Sequence, residues 1–118
     1  MTDQASDWRF ILCAGCCGAR DDVAQAIAAA CPGRSVVLAP CLSVCKAPAT
    51  LAAQGAGRAT YVFSGLTVED AADVAAFARE YDAAPHGWIV DARPLGQLRF
   101  RLVTRVPAFA DPQLRPPS

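Results

Sequence analysis

Cysteine carries the most telling chemistry in this chain. Six cysteines stand at positions 13, 16, 17, 31, 41 and 45, against a single histidine, His86. Thiolates are soft donors that select zinc, cuprous copper or iron–sulfur clusters over magnesium or calcium. Two pairs have ligand spacing: Cys13-Ala-Gly-Cys16 is C-x2-C, and Cys41-Leu-Ser-Val-Cys45 is C-x3-C. Four such thiols satisfy either a tetrahedral zinc or a [2Fe-2S] cluster. The C-x2-C pair serves both. The C-x3-C pair is less usual for a zinc knuckle, and a cluster with two irons needs a wider span between its ligand pairs, so the spacing favours iron–sulfur while leaving zinc open. Cys17 is a rival to Cys16, because its use would make both pairs C-x3-C. A Rieske centre needs two histidines on one iron and is excluded.

The elements that must bring these thiols together can be read from the apolar pattern. Residues 8–13 (WRFILC) form a short buried strand ending at a cysteine. A small, cysteine-rich loop follows, and Asp21 or Asp22 then caps a helix running to about Cys31. Val23, Ile27 and Cys31 recur at i, i+4 and i+8 on one helix face. Pro32-Gly33 stops that helix, and residues 35–39 (SVVLA) form a second strand. This is a β-α-β unit with parallel strands and a right-handed crossover. Parallel strands end at the same edge of a sheet, so Cys13 and Cys41, with Cys16 and Cys45 in the attached loops, converge there. Ligand sites at the carboxyl edge of parallel strands are the general expectation.

The second half predicts a hairpin, with residues 50–54 and 59–63 flanking Gly55-Ala56-Gly57-Arg58. Thr67 and Asp70 then form a T-x-x-D capping box. The helix behind it carries Val74, Phe77, Ala78 and Tyr81 on one face and ends near Ala84-Pro85. The fold class is therefore α/β: β-α-β followed by β-β-α, the thioredoxin-like order, with one mixed sheet flanked by helices. A further short strand is expected around Phe100, Leu102 and Val106. The length suits one domain. Its expected limits are residues 8–108, between a flexible N-terminus (1–7) and a proline-rich disordered tail (109–118).

Other features have plainer explanations. Cys31 shares its helix face with apolar residues and is assigned to the core, since buried free cysteine behaves as a small hydrophobe. His86 follows Pro85 in a loop and is expected to be a solvated bystander. Gly55-Ala56-Gly57 lies between strands with no helix behind it, so it is a turn rather than a phosphate cradle. Lys46 is an ordinary surface lysine, and Asp21 and Asp22 serve the helix start rather than acid–base catalysis. Eleven basic residues balance eleven acidic ones, which argues against nucleic-acid and membrane-surface partners. The polar start shows no secretory signal, and no apolar run is long enough to span a bilayer. A reducing cytosol is the expected location, where cysteines serve metal or redox chemistry rather than structural disulfides.

These motifs resemble one bacterial family. The stretch CLSVCKAPATLAAQGAGRATYVFSGL (residues 41–66), the upstream CAGC (13–16), and the later ARP (92–94) and TRVP (104–107) are similar to the 1636 family of domains of unknown function, described as predicted metal-binding proteins. That family in turn looks like the thioredoxin-like [2Fe-2S] ferredoxins. The resemblance implies that Cys13, Cys16, Cys41 and Cys45 are the ligands and that the protein is a homodimer. It also links the chain to cobalamin pathways. The sequence departs from the family at Ala49, where many members carry another cysteine, so a ligand there is not obligatory.

Three functions compete on this reading. The first is a ferredoxin-type electron carrier with a [2Fe-2S] cluster and a redox partner protein, not an enzyme. The second is zinc or other soft-metal binding and delivery at the same cysteines, in support of cobalamin biosynthesis. The third is a thiol–disulfide oxidoreductase, invited by a C-x-x-C motif after the first strand.

Overall fold

The computed structural model describes residues 8–13, 21–40 and 49–117. Strand β1 (Trp8–Cys13) leads to helix α1 (Asp21–Ala30) and strand β2 (Val36–Ala39). The hairpin β3 (Leu51–Gly55) and β4 (Thr60–Phe63) follows, then helix α2 (Ala71–Ala83) and strand β5 (Leu102–Val106). The five strands form one mixed sheet in the order β2-β1-β3-β4-β5. Only β1 and β2 run parallel; the other three pairings are antiparallel. The α/β class and the β-α-β, β-β-α order are those expected from the sequence, and β5 extends the sheet beyond β4. No helix among the described residues is long and apolar enough to cross a membrane.

Alternation along β1 sets the two faces of the sheet. Trp8, Phe10 and Leu12 are buried on one side, while Arg9 is exposed and Ile11 and Cys13 are half-buried on the other. Register carries this division across the sheet: Phe10 lies beside Ala53, and Ala53 beside Tyr61. Both helices, which contact each other, cover the Phe10 face. From α1 come Val23, Ile27 and Cys31, and from α2 come Val74, Phe77 and Tyr81. Phe77 stands at the centre, with its ring 5.1–6.2 Å from those of Phe10, Tyr61, Phe63 and Tyr81. Such offset and edge-on pairs add about 0.5–1.5 kcal/mol each beyond the area they bury.

Local signals set the element ends. Asp22 Oδ1 accepts the Val23 amide at 2.8 Å in the first turn of α1. Thr67 and Asp70 make the reciprocal capping box, with the Thr67 amide donating to Asp70 Oδ2 at 2.8 Å. The box opens a 3-10 turn, Val68–Asp70, so the α-helical hydrogen bonding of α2 begins only at Ala71. After α2 the chain turns tightly at Pro85–Gly87. Gly87 has φ +68°, and a Cβ there would stand 2.8 Å from Tyr81 Cε1 and 3.0 Å from Arg58 Cβ, so only glycine fits. Gly96, at φ +60°, similarly lets the backbone pass the Asp73 carboxylate, which accepts the Gln97 amide at 3.0 Å.

Two polar knots tie distant segments together. Asp82 accepts from Trp8 Nε1 at 2.7 Å and pairs with Arg34 at 2.9 Å, while the Arg34 guanidinium lies 4.0 Å over the Trp8 ring. At the hairpin, the Tyr81 hydroxyl donates to the Ala59 carbonyl, Arg58 donates to the Tyr81 carbonyl at 2.8 Å, and the Ala59 amide donates to the His86 carbonyl at 2.7 Å. Burial pushes the Tyr81 phenol up from 10 to about 12, against a smaller opposing effect of the Arg58 charge. The protonated phenol is therefore favoured by folding. Its contribution is fully present below pH 10 and is lost as pH rises from 10 towards 12, amounting to roughly 3 kcal/mol. Denaturant melts at increasing pH should show this alkaline loss, and Tyr81→Phe should flatten it while lowering neutral-pH stability by about 1 kcal/mol.

Candidate metal centre

Cys13 is the last residue of β1, and its parallel partner is Ala39, the last residue of β2. On its other side, the Cys13 amide donates to the Thr50 carbonyl at 2.9 Å. Thr50 and its neighbour Ala49 are each 1% exposed. The chain on both sides of residues 41–48 is thus fixed against Cys13: Ala39 on one flank and Thr50 on the other. Adjacent strands lie about 4.8 Å apart. Cys41 is two residues beyond Ala39, a tether of at most about 7 Å.

The side chain of Cys13 belongs to the sheet face opposite the one that α1 and α2 cover, with Ile11 and Arg9, and is half-buried. Cys16, Cys17, Cys41 and Cys45 lie outside the described residues, as does Lys46. Cys13 is therefore the one predicted ligand whose surroundings the structure describes, and the carboxyl edge of the β1–β2 pair is where it stands. The sequence marks Thr50 only as a strand residue. Its place beside Cys13 follows from the antiparallel pairing of β3 with β1, which the C-terminal end of a predicted strand does not reveal.

Cys31 belongs to the core, as its helix periodicity predicts. It is 6% exposed and packs in the cluster that includes Val23 and Ile27. Burial pushes its thiol pKa up, with Arg34 and Arg79 opposing the shift. A protonated, apolar-packed thiol is both a poor ligand and a poor nucleophile. Cys31 also follows the C-terminal end of α1, a helix length of about 15 Å from Asp21 at its other end.

The remaining candidates have the structural roles expected of them. His86 is exposed, in a turn at φ +55°, and it is its backbone carbonyl that bonds. Gly55-Ala56-Gly57 forms the hairpin turn, closed by the Arg58 amide donating to the Gly55 carbonyl at 3.1 Å. Among the described residues, no group of three or more histidine, cysteine, aspartate or glutamate side chains is placed to hold a metal ion. An open groove of about 550 Å³, lined by Trp8, Arg9, Ser35, Gln54 and Thr60, sits at the opposite end of β1 from Cys13. A six-residue strand places it roughly 17 Å from that thiol.

Comparison with curated proteins and with solved structures gave no match. One family model does match, over residues 13–108, from the first cysteine of the C-x2-C pair to just beyond β5. The matched span contains all six cysteines and every strand from the end of β1 onward. The chain belongs to the family described as Protein of unknown function (DUF1636).

Proposed function

We propose that this protein is a cytosolic one-electron carrier that binds a [2Fe-2S] cluster through Cys13, Cys16, Cys41 and Cys45. The observation that carries this reading is the flanking of Cys13 by Ala39 and Thr50, the two fixed ends from which residues 41–48 depart. Chain connectivity alone then keeps the C-x3-C pair near the first ligand, and C-x2-C spacing does the same for Cys16. The donor set is soft and anionic, as iron–sulfur centres require. Such a cluster supplies reversible one-electron chemistry. Cys13 is half-buried at the sheet edge, so a cluster bound there would be within reach of a redox partner.

The position of Cys13 speaks against thiol–disulfide exchange as the main role. That chemistry places the attacking thiol at a helix N-terminus, where the helix dipole lowers its pKa. Here Cys13 is a strand residue, the last of β1.

Protein purified anaerobically from iron-replete cells should be red-brown, with about two irons and two sulfides per chain. Dithionite should bleach it and produce a paramagnetic EPR signal. A colourless protein with stoichiometric zinc would replace the electron carrier by a soft-metal binding or delivery protein at the same cysteines. Robust insulin reduction by the metal-free protein would restore the oxidoreductase.

A further inference from the structure

Nine large apolar side chains are exposed among the described residues, and six of them fall in one short stretch: Phe100, Leu102, Val103, Val106, Phe109 and Leu114. This stretch is built around β5, all five of whose residues are exposed. The strand lies at the edge of the sheet, paired with β4 on one side and with no other described strand on its outer side. Phe100 is 69% exposed just before it, and Phe109 is fully exposed just after it. Edge strands normally carry a charge that deters pairing with another chain. The single charge on β5, Arg105, is turned back into its own chain. Its guanidinium lies 3.9 Å over the Trp88 ring and donates to the Ile89 carbonyl at 3.0 Å.

We infer that β5, with Phe100 and Phe109, is a self-association surface on which a second copy of this chain pairs antiparallel about a two-fold axis. The residue pattern of the strand favours a copy of itself. Pairing centred on Thr104 sets Leu102 opposite Val106 of the partner subunit and Val103 opposite Arg105 of the partner subunit. Thr104 faces its own counterpart, and no two like charges stand opposite each other. Phe100, in the 3-10 turn before β5, and Phe109, in the turn after it, flank the paired strands as exposed aromatic side chains. The extra residue in β5, near Val103, shortens the regular ladder, so the aromatic side chains must provide much of the contact. From their exposures, the apolar residues between positions 100 and 109 offer roughly 600 Å² per chain, or about 1,200 Å² for the pair. That is the lower limit for a specific interface, so the dimer should be reversible rather than obligate.

The test is sedimentation velocity of the full chain over a concentration series, together with amide hydrogen exchange at residues 102–106. The wild type should convert from monomer to dimer, with protection of the β5 amides rising with concentration. Val103→Lys, which restores a guarding charge, and the double variant F100S/F109S should each weaken association by at least about 100-fold. Circular dichroism and bound iron per chain should be unchanged, because these side chains are exposed and the cysteines are untouched. A wild type that stays monomeric throughout would overturn the inference. So would a dimer that both variants leave intact, or a dimer without concentration-dependent protection of β5. The iron measurement keeps this outcome separate from that of the metal-centre reading.

Discussion

Replacing Cys13 with serine should give a folded protein that has lost its colour. Cys13 is half-buried at the end of β1, and its backbone amide, not its side chain, makes the bond to Thr50. The sheet therefore tolerates the change. The metal centre should not: altering residues that only support metal ligands costs about 10–100-fold in affinity, and removing a ligand should cost more. Bound iron should fall at least about tenfold, with the far-ultraviolet circular dichroism retained. Cys31→Ala is the matched control. It removes a core thiol, so the expected result is full iron loading and a stability loss of about 1 kcal/mol. Equal iron loss in both variants would point to a stability effect and remove the special role assigned to Cys13. The pair Cys16→Ser and Cys17→Ser, measured in the same way, assigns the second ligand.

The largest expected effect on folding is at Phe77. Its side chain is fully buried and meets four aromatic rings contributed by β1, β4 and α2. Truncation to alanine should cost about 3–5 kcal/mol, combining lost transfer energy with a cavity that surrounding rings cannot close. A domain of this size has a total stability of about 5–15 kcal/mol, so the loss is a large share of the whole. In urea, the midpoint should fall sharply with little change in slope. Phe77 lies on the helix-covered face and Cys13 on the other, so protein kept well below its melting temperature should still load iron. The two variants thus separate folding from metal binding in opposite directions.

Much of the fold was legible because its signals are local. The WRFILC run, the i, i+4, i+8 spacing of Val23, Ile27 and Cys31, and the Thr67–Asp70 capping box each depend on residues close in sequence. Strand β5 was harder to bound. All five of its residues are exposed, so no alternation of apolar and polar positions marks a buried face. The 3-10 segments at Pro85–Gly87 and Arg93–Arg101 depend on left-handed backbone at His86, Gly87 and Gly96. Those conformations arise from close approach to Tyr81 and Asp73, which no neighbouring residue announces. The Arg34–Asp82 and Arg105–Trp88 contacts are likewise products of the finished fold. At the candidate centre, the carboxyl edge and the assignment of Cys31 to the core were available from pattern alone. The assignment of Cys13 to the face opposite Phe10 is also implicit in the alternation of WRFILC, but it becomes informative only once α1 and α2 are known to cover the Phe10 side.

The anchoring of residues 41–48 between Ala39 and Thr50 has a thermodynamic consequence. In small zinc modules the unfolded chain must be gathered around the ion, so metal affinity and folding are one equilibrium and chelation denatures the protein. Here the sheet has closed the loop by pairing β2 and β3 with β1, so the configurational entropy of bringing the two ends together is already lost on folding. The ligand-bearing segments thus depart from chain ends that folding has already placed. The apoprotein should therefore keep its tertiary structure, and the metal-loaded and metal-free forms should interconvert without global unfolding.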